Sequence, residues 1–139
     1  MDYRDILKTT EARDNFMKGL IRLAKADGNI SQEESQYFIG AANSMGLSEQ
    51  QIEDMKEYMS SQEKLPVSFG SMAEKVLFFR EAIQLCAIDI AYTQEEKEEI
   101  RKIAGELNVS MDLIEEIEKW VEEGMSWKRQ GDELVSRYL

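Results

Sequence analysis

The sequence predicts an all-α, single-domain helical bundle of about seven or eight helices, built from two pseudo-two-fold-related three-helix repeats. Three observations carry that expectation. Residues 16–59 align without a gap on residues 78–121 at an offset of 62 (89 − 27), and about a quarter of the aligned pairs are identical. Apolar residues recur at helical spacing almost throughout, with no alternating strand pattern. A single proline in 139 residues and 42% apolar content fit a globular helical chain and oppose disorder.

The elements follow in order along one domain, residues 1–139. A short helix near residues 3–8 leads. Phe16, Leu20, Leu23 and Ala24 mark the buried face of the next helix, then Phe38, Ala41, Ala42 and Met45, then Ile52, Met55 and Met59. The second copy repeats the pattern with Phe78, Ala82, Leu85 and Cys86, with Ile100, Ile103, Ala104 and Leu107, and with Ile114, Ile117 and Val121. Residues 60–77 link the copies and hold the only proline, in Leu65-Pro66-Val67-Ser68-Phe69-Gly70. A C-terminal helix over about residues 126–138 completes the chain, with Gly124 and Gly131 leaving its limits open. Trp120 aligns with Tyr58, which predicts equivalent packed positions, whereas Trp127 lies outside the repeat and is the better surface aromatic. Met17, Met45, Met55, Met59 and Met72 fit core filling better than a pliable binding groove.

Local punctuation supports these boundaries. Ser31-x-x-Glu34, Ser48-x-x-Gln51 and Thr93-x-x-Glu96 are capping boxes, in which each side chain satisfies a free backbone N–H at the start of a helix. Gly46 and Asn108 stand at equivalent helix ends, where a left-handed residue is expected.

Charge and composition remove several function classes. Net charge is −11 and the pI is near 4.5, so neither a nucleic-acid backbone nor an anionic membrane face is an expected partner. A basic protein or a cation is compatible. The absence of histidine excludes Ser-His-Asp and Cys-His catalysis, and the lone Cys86 excludes a disulfide framework or thiolate zinc site. No leader peptide or membrane-length apolar run is visible, so the reading is cytoplasmic. The acidic run at residues 115–123 reads as a solvated helix face, with Lys128, Arg129 and Arg137 available to pair with acidic surface.

The densest part of the repeat is an acidic turn. Asp27-Gly28-Asn29-Ile30-Ser31-Gln32-Glu33-Glu34 falls on Asp89-Ile90-Ala91-Tyr92-Thr93-Gln94-Glu95-Glu96. The first copy resembles the second half of a calcium-binding EF-hand loop, but Leu23 and Lys25 fill the leading ligand positions. In the second copy Leu85 and Ala87 fill them, and Ile90 replaces the glycine, so neither is a working EF-hand. Two readings stand for Asp27, Glu34, Asp89 and Glu96. One is local structure: the glutamates close capping boxes and the aspartates cap their turns. The other is a metal site for Ca²⁺ or Mg²⁺, because hard oxygen ligands suit those ions and each aspartate follows a helix C-terminus whose dipole disfavours negative charge.

Leu23-Ala24-Lys25-Ala26-Asp27-Gly28-Asn29-Ile30-Ser31-Gln32-Glu33-Glu34 resembles the signature of the TerB-like tellurite-resistance family, whose domain is also similar to one in membrane-anchored DnaJ-like co-chaperones. The resemblance covers about residues 16–121. It implies an all-helical pseudo-two-fold bundle with clustered acidic residues for divalent cations, and a stress-response or scaffold role without established enzymatic activity. The second turn departs from the motif by lacking its glycine. The leading expectation is a non-enzymatic binding module for a divalent cation or a basic protein partner. The alternatives are a carboxylate–metal hydrolase, a degenerate EF-hand-like calcium sensor, and an interaction domain whose acidic face docks a basic protein.

Overall fold

The structure, a computed structural model, describes residues 1–89 and 92–139, with the side chain of Asp89 excepted. The described residues form six α-helices, two short 3-10 turns and no strand. The helices are α1 (Thr10–Ala24), α2 (Gln32–Ser44), α3 (Glu49–Ser60), α4 (Met72–Asp89), α5 (Gln94–Glu106) and α6 (Met111–Ser136). The 3-10 turns are Tyr3–Asp5, where a leading helix was expected, and Lys25–Asp27, which continues α1 into the first acidic turn.

The predicted stop and start signals operate. Ser31, Ser48 and Thr93 each accept from the backbone N–H three residues on, while Glu34, Gln51 and Glu96 reach back to the cap's own N–H. Gly46 (φ 78°) and Asn108 (φ 56°) take the left-handed conformation. Each closes a Schellman motif, with Leu47 N–H donating to the Ala42 carbonyl (3.1 Å) and Val109 N–H to that of Ala104 (2.9 Å).

The C-terminal helix expected over 126–138 is not a separate element. α6 runs unbroken from Met111 to Ser136, through both Gly124 and Gly131. An interior glycine costs only about 1 kcal/mol relative to alanine, too little to end a helix that no proline or cap interrupts. The connection between the halves is non-helical over 61–71, and α4 begins at Met72, ahead of the aligned second copy.

α4 is the central helix, packed against α1, α5 and α6. Phe78 and Phe79 are fully buried on it, and the Phe78 ring meets Phe16 of α1 edge-on at 6.1 Å between centroids. Gly19 of α1 makes that approach possible, because a Cβ there would stand 2.5 Å from Phe78 Cε1. Met17, Met55 and Met59 fill the core as expected, whereas Met72 is half exposed. Trp120 corrects a second expectation. Tyr58 is buried at 4% exposure but its aligned partner Trp120 is 51% exposed, on the wall of an open trough between α6 and the end of α4. Trp127 is exposed, as predicted.

Candidate functional site

The first acidic turn docks on the start of α5. Asp27 follows the C-terminus of α1, and its Oδ1 accepts a hydrogen bond from Thr93 Oγ1 at 2.9 Å. The same hydroxyl accepts from the Glu96 N–H at 3.1 Å, and the Thr93 N–H donates to Glu96 Oε1 at 2.9 Å. One threonine therefore uses both its donor and an acceptor to join the turn to the α5 capping box. Asp27 also lies at the positive end of the α5 dipole, which offsets the unfavourable end of α1. The electrostatic cost expected from its sequence position is met by a second helix.

Glu34 is held at the other box, where its Oε1 accepts from the Ser31 N–H at 3.1 Å. No described contact joins it to Asp27 or Glu96. The Asp89 side chain, Ile90 and Ala91 lie outside the described residues, so the place of Asp89 in the proposed metal set does too. Among the described residues, no three carboxylate, cysteine or histidine side chains group as a metal centre would need. Asp27, Glu34 and Glu96 each use one oxygen in the cap bonds above, and the donor chemistry fits a hard cation. Cys86 sits beside this seam. Burial, and then the neighbouring Glu96 carboxylate, push its thiol well above the ordinary value, so it stays protonated and poorly nucleophilic.

A buried polar junction lies one turn back along α1, and sequence reading missed it. Arg22 donates through Nε to Glu99 Oε1 (2.8 Å), and through its two terminal nitrogens to Glu106 (2.6 and 2.9 Å). Arg22 and Glu99 are 4% and 3% exposed, and Lys64 supplies a second cation to Glu99 at 3.3 Å. Burial pushes Glu99 up, but the Arg22 hydrogen bond and charge, with Lys64, hold its carboxyl below the usual range. The available signal was a charge inside an apolar run, Leu20-Ile21-Arg22-Leu23, matched by Glu99 next to Ile100 on the buried side of α5.

Lys25 extends the junction to the connection between the halves. Its ammonium donates to the carbonyls of Tyr58 (2.7 Å) and Glu63 (2.6 Å), and lies 4.0 Å from the Tyr58 ring centroid. Arg22 reaches the Leu65 carbonyl at 3.3 Å, and the Leu65 N–H donates to the Tyr58 hydroxyl at 3.0 Å. The turn that carries Asp27 is thus fastened on one side to α5 and on the other to residues 58–65. Two further expectations, a solvated acidic run at residues 115–123 and pairing of the C-terminal basic residues, are met only in part. Glu118 of the acidic run pairs with Arg101 at 2.8 Å, while Lys128, Arg129 and Arg137 make no ion pair among the described residues.

The fold matches a solved structure. The chain superimposes on the crystal structure of a tellurite resistance protein from Nostoc punctiforme with a TM-score of 0.63 and 27% sequence identity, over 94% of this chain and 84% of that one. The chain resembles the TerB-like tellurite resistance proteins. No protein-family model matches the sequence, and no curated protein matches it. Among the described residues, no helix is long and apolar enough to cross a membrane.

Proposed function

We propose that the chain is a non-enzymatic TerB-like binding module whose acidic seam engages a divalent cation or a basic protein partner. The observation that carries this reading is the hydrogen bond from Thr93 to Asp27, which brings the first acidic turn onto the second capping box and sets Asp27 and Glu96 on either side of one hydroxyl. In the cation reading the ligands are Asp27, Glu34, Asp89 and Glu96, and the ion is Ca²⁺ or Mg²⁺. The name of the Nostoc punctiforme protein supports a stress-linked role. The meeting of Phe16 with Phe78, which occupy the same place in the two aligned copies, supports reading residues 1–139 as one domain of two pseudo-two-fold-related repeats.

Calorimetric titration with Ca²⁺, Mg²⁺ and Mn²⁺, on the wild type and on Asp27→Asn, tests the cation. Binding heat that Asp27→Asn removes supports it. Absence of heat and of thermal shift into the millimolar range overturns it. A basic partner predicts instead that Asp27→Asn weakens co-purification at low salt without any metal response. Phosphatase or esterase activity that depends on added metal and on Asp27 would overturn the non-enzymatic part.

A further inference from the structure

α6 carries a face that the bundle does not use. Ile114, Ile117 and Val121 point into the core, and from Glu122 to Leu139 no side chain is buried. Beside the buried face runs a second stripe, Trp120, Gly124, Trp127, Gly131, Leu134 and Tyr138, at spacings of four and three residues in alternation. That alternation is the seam of a coiled coil. Trp127 is 78% exposed and Tyr138 is 88% exposed. Nothing lies within 4 Å of where a Cβ would stand on Gly124 or Gly131. Both glycines weaken the helix, and no close approach among the described residues requires them.

Large side chains alternating with glycines make the stripe its own complement. We propose that residues 120–138, along α6 and the turn that caps it, form an antiparallel seam with the same residues of a second copy of this chain. Centred on Arg129, the pairing sets Trp127 of one protomer against Gly131 of its partner, and Leu134 against Gly124. Each glycine then receives a large side chain, which accounts for its presence. Charge agrees with this register. Glu123 of one protomer falls beside Arg137 of its partner, at both ends of the seam, and neither makes an ion pair within the described chain. Lys128 meets its own mate at the centre, a like-charge contact that its long side chain can splay to relieve. The end of the seam continues into a trough lined by Gln84, Ile88 and Trp120, where Tyr138 of the partner would cover the exposed Ile88. Aromatic side chains bury about 150–250 Å² each. With Ile88, Leu134 and Val135, the three aromatics supply area on the order of the ~800 Å² per partner that specific interfaces bury.

Sedimentation equilibrium of the full chain, from low to high micromolar concentration, tests the proposal. The wild type is expected to dimerise, and Trp127→Glu, at an exposed position that leaves the core intact, to be monomeric. Glu123→Arg and Arg137→Glu should each weaken dimerisation about tenfold, because two attractive contacts become repulsive. Mixing the two single variants, or combining both changes in one chain, should restore association. These residues stand fourteen positions apart on one helix, so restoration requires a second copy in antiparallel register. A wild type that stays monomeric overturns the proposal, as does a dimer indifferent to Trp127→Glu or one that the charge exchange fails to restore.

Discussion

Asp27 and Thr93, 66 residues apart in sequence, share a hydrogen bond of 2.9 Å in which the N-cap hydroxyl of α5 donates to the carboxylate of the first acidic turn. Thr93→Val removes both this bond and the cap, and should cost about 1–2 kcal/mol of stability. Asp27→Ala removes only the bond and should cost less. A double-mutant cycle read by urea unfolding should return a coupling of about 0.5–1.5 kcal/mol, whereas additive losses would mean the contact contributes nothing in solution.

The Arg22–Glu99 pair makes a larger prediction. Both side chains are at most 5% exposed, so Arg22→Ala leaves a buried carboxylate with only Lys64 beside it. The expected loss is about 3–5 kcal/mol. Arg22→Met combined with Glu99→Leu should recover most of that loss, because it removes both charges and keeps the volume. Chemical denaturation of the two variants checks the contrast.

Acid should weaken the protein through the same groups. Burial acts against Glu99, yet the Arg22 and Lys64 interactions hold it below the ordinary value of 4.5; the Arg22 hydrogen bond does the same for Glu106. Burial also opposes ionisation of Glu118, but the hydrogen bonds and charge of Arg101 lower it. A depressed folded-state pKa contributes stability that is present above the unfolded value and is lost as pH falls through the folded one. The melting temperature should therefore drop from just above the ordinary carboxylate value downward. Glu106→Gln should flatten that slope, and an unchanged slope would remove Glu106 from the account.

Glycine substitutions should act in opposite directions. Gly19→Ala places a methyl group against the Phe78 ring and should destabilise despite the better helix propensity of alanine. Gly40→Ala, in α2 with nothing within 4 Å of the new Cβ, should stabilise by up to about 1 kcal/mol. Thermal melts of the two variants decide it.

What the sequence made legible was local. The caps at Ser31, Ser48 and Thr93 and the left-handed ends at Gly46 and Asn108 depend on residues within one turn of each other. The Arg22–Glu99 pair spans 77 residues, and no local pattern says which buried charge meets which. Trp120 misled because alignment with Tyr58 transfers helical position but not the neighbours that cover a side chain. The helix-dipole cost at Asp27 is visible in the sequence, but the second helix that offsets it, α5, is brought there only by the fold. Gly124 and Gly131 leave the limits of a C-terminal helix open in the sequence, but without a competing cap or proline neither ends α6.

The mooring of residues 58–65 has a consequence for how the chain is put together. An exposed connection without secondary structure is ordinarily where a protein best tolerates a nick or an insertion. Here Lys25 grips the carbonyls of Tyr58 and Glu63, and Arg22, one helical turn away, grips that of Leu65. Beyond Leu65 the connection is held by packing instead, with Val67 buried and the Phe69 ring 5.4 Å from that of Phe78. The two halves are spliced rather than strung together, and the splice is made by the turn that ends α1.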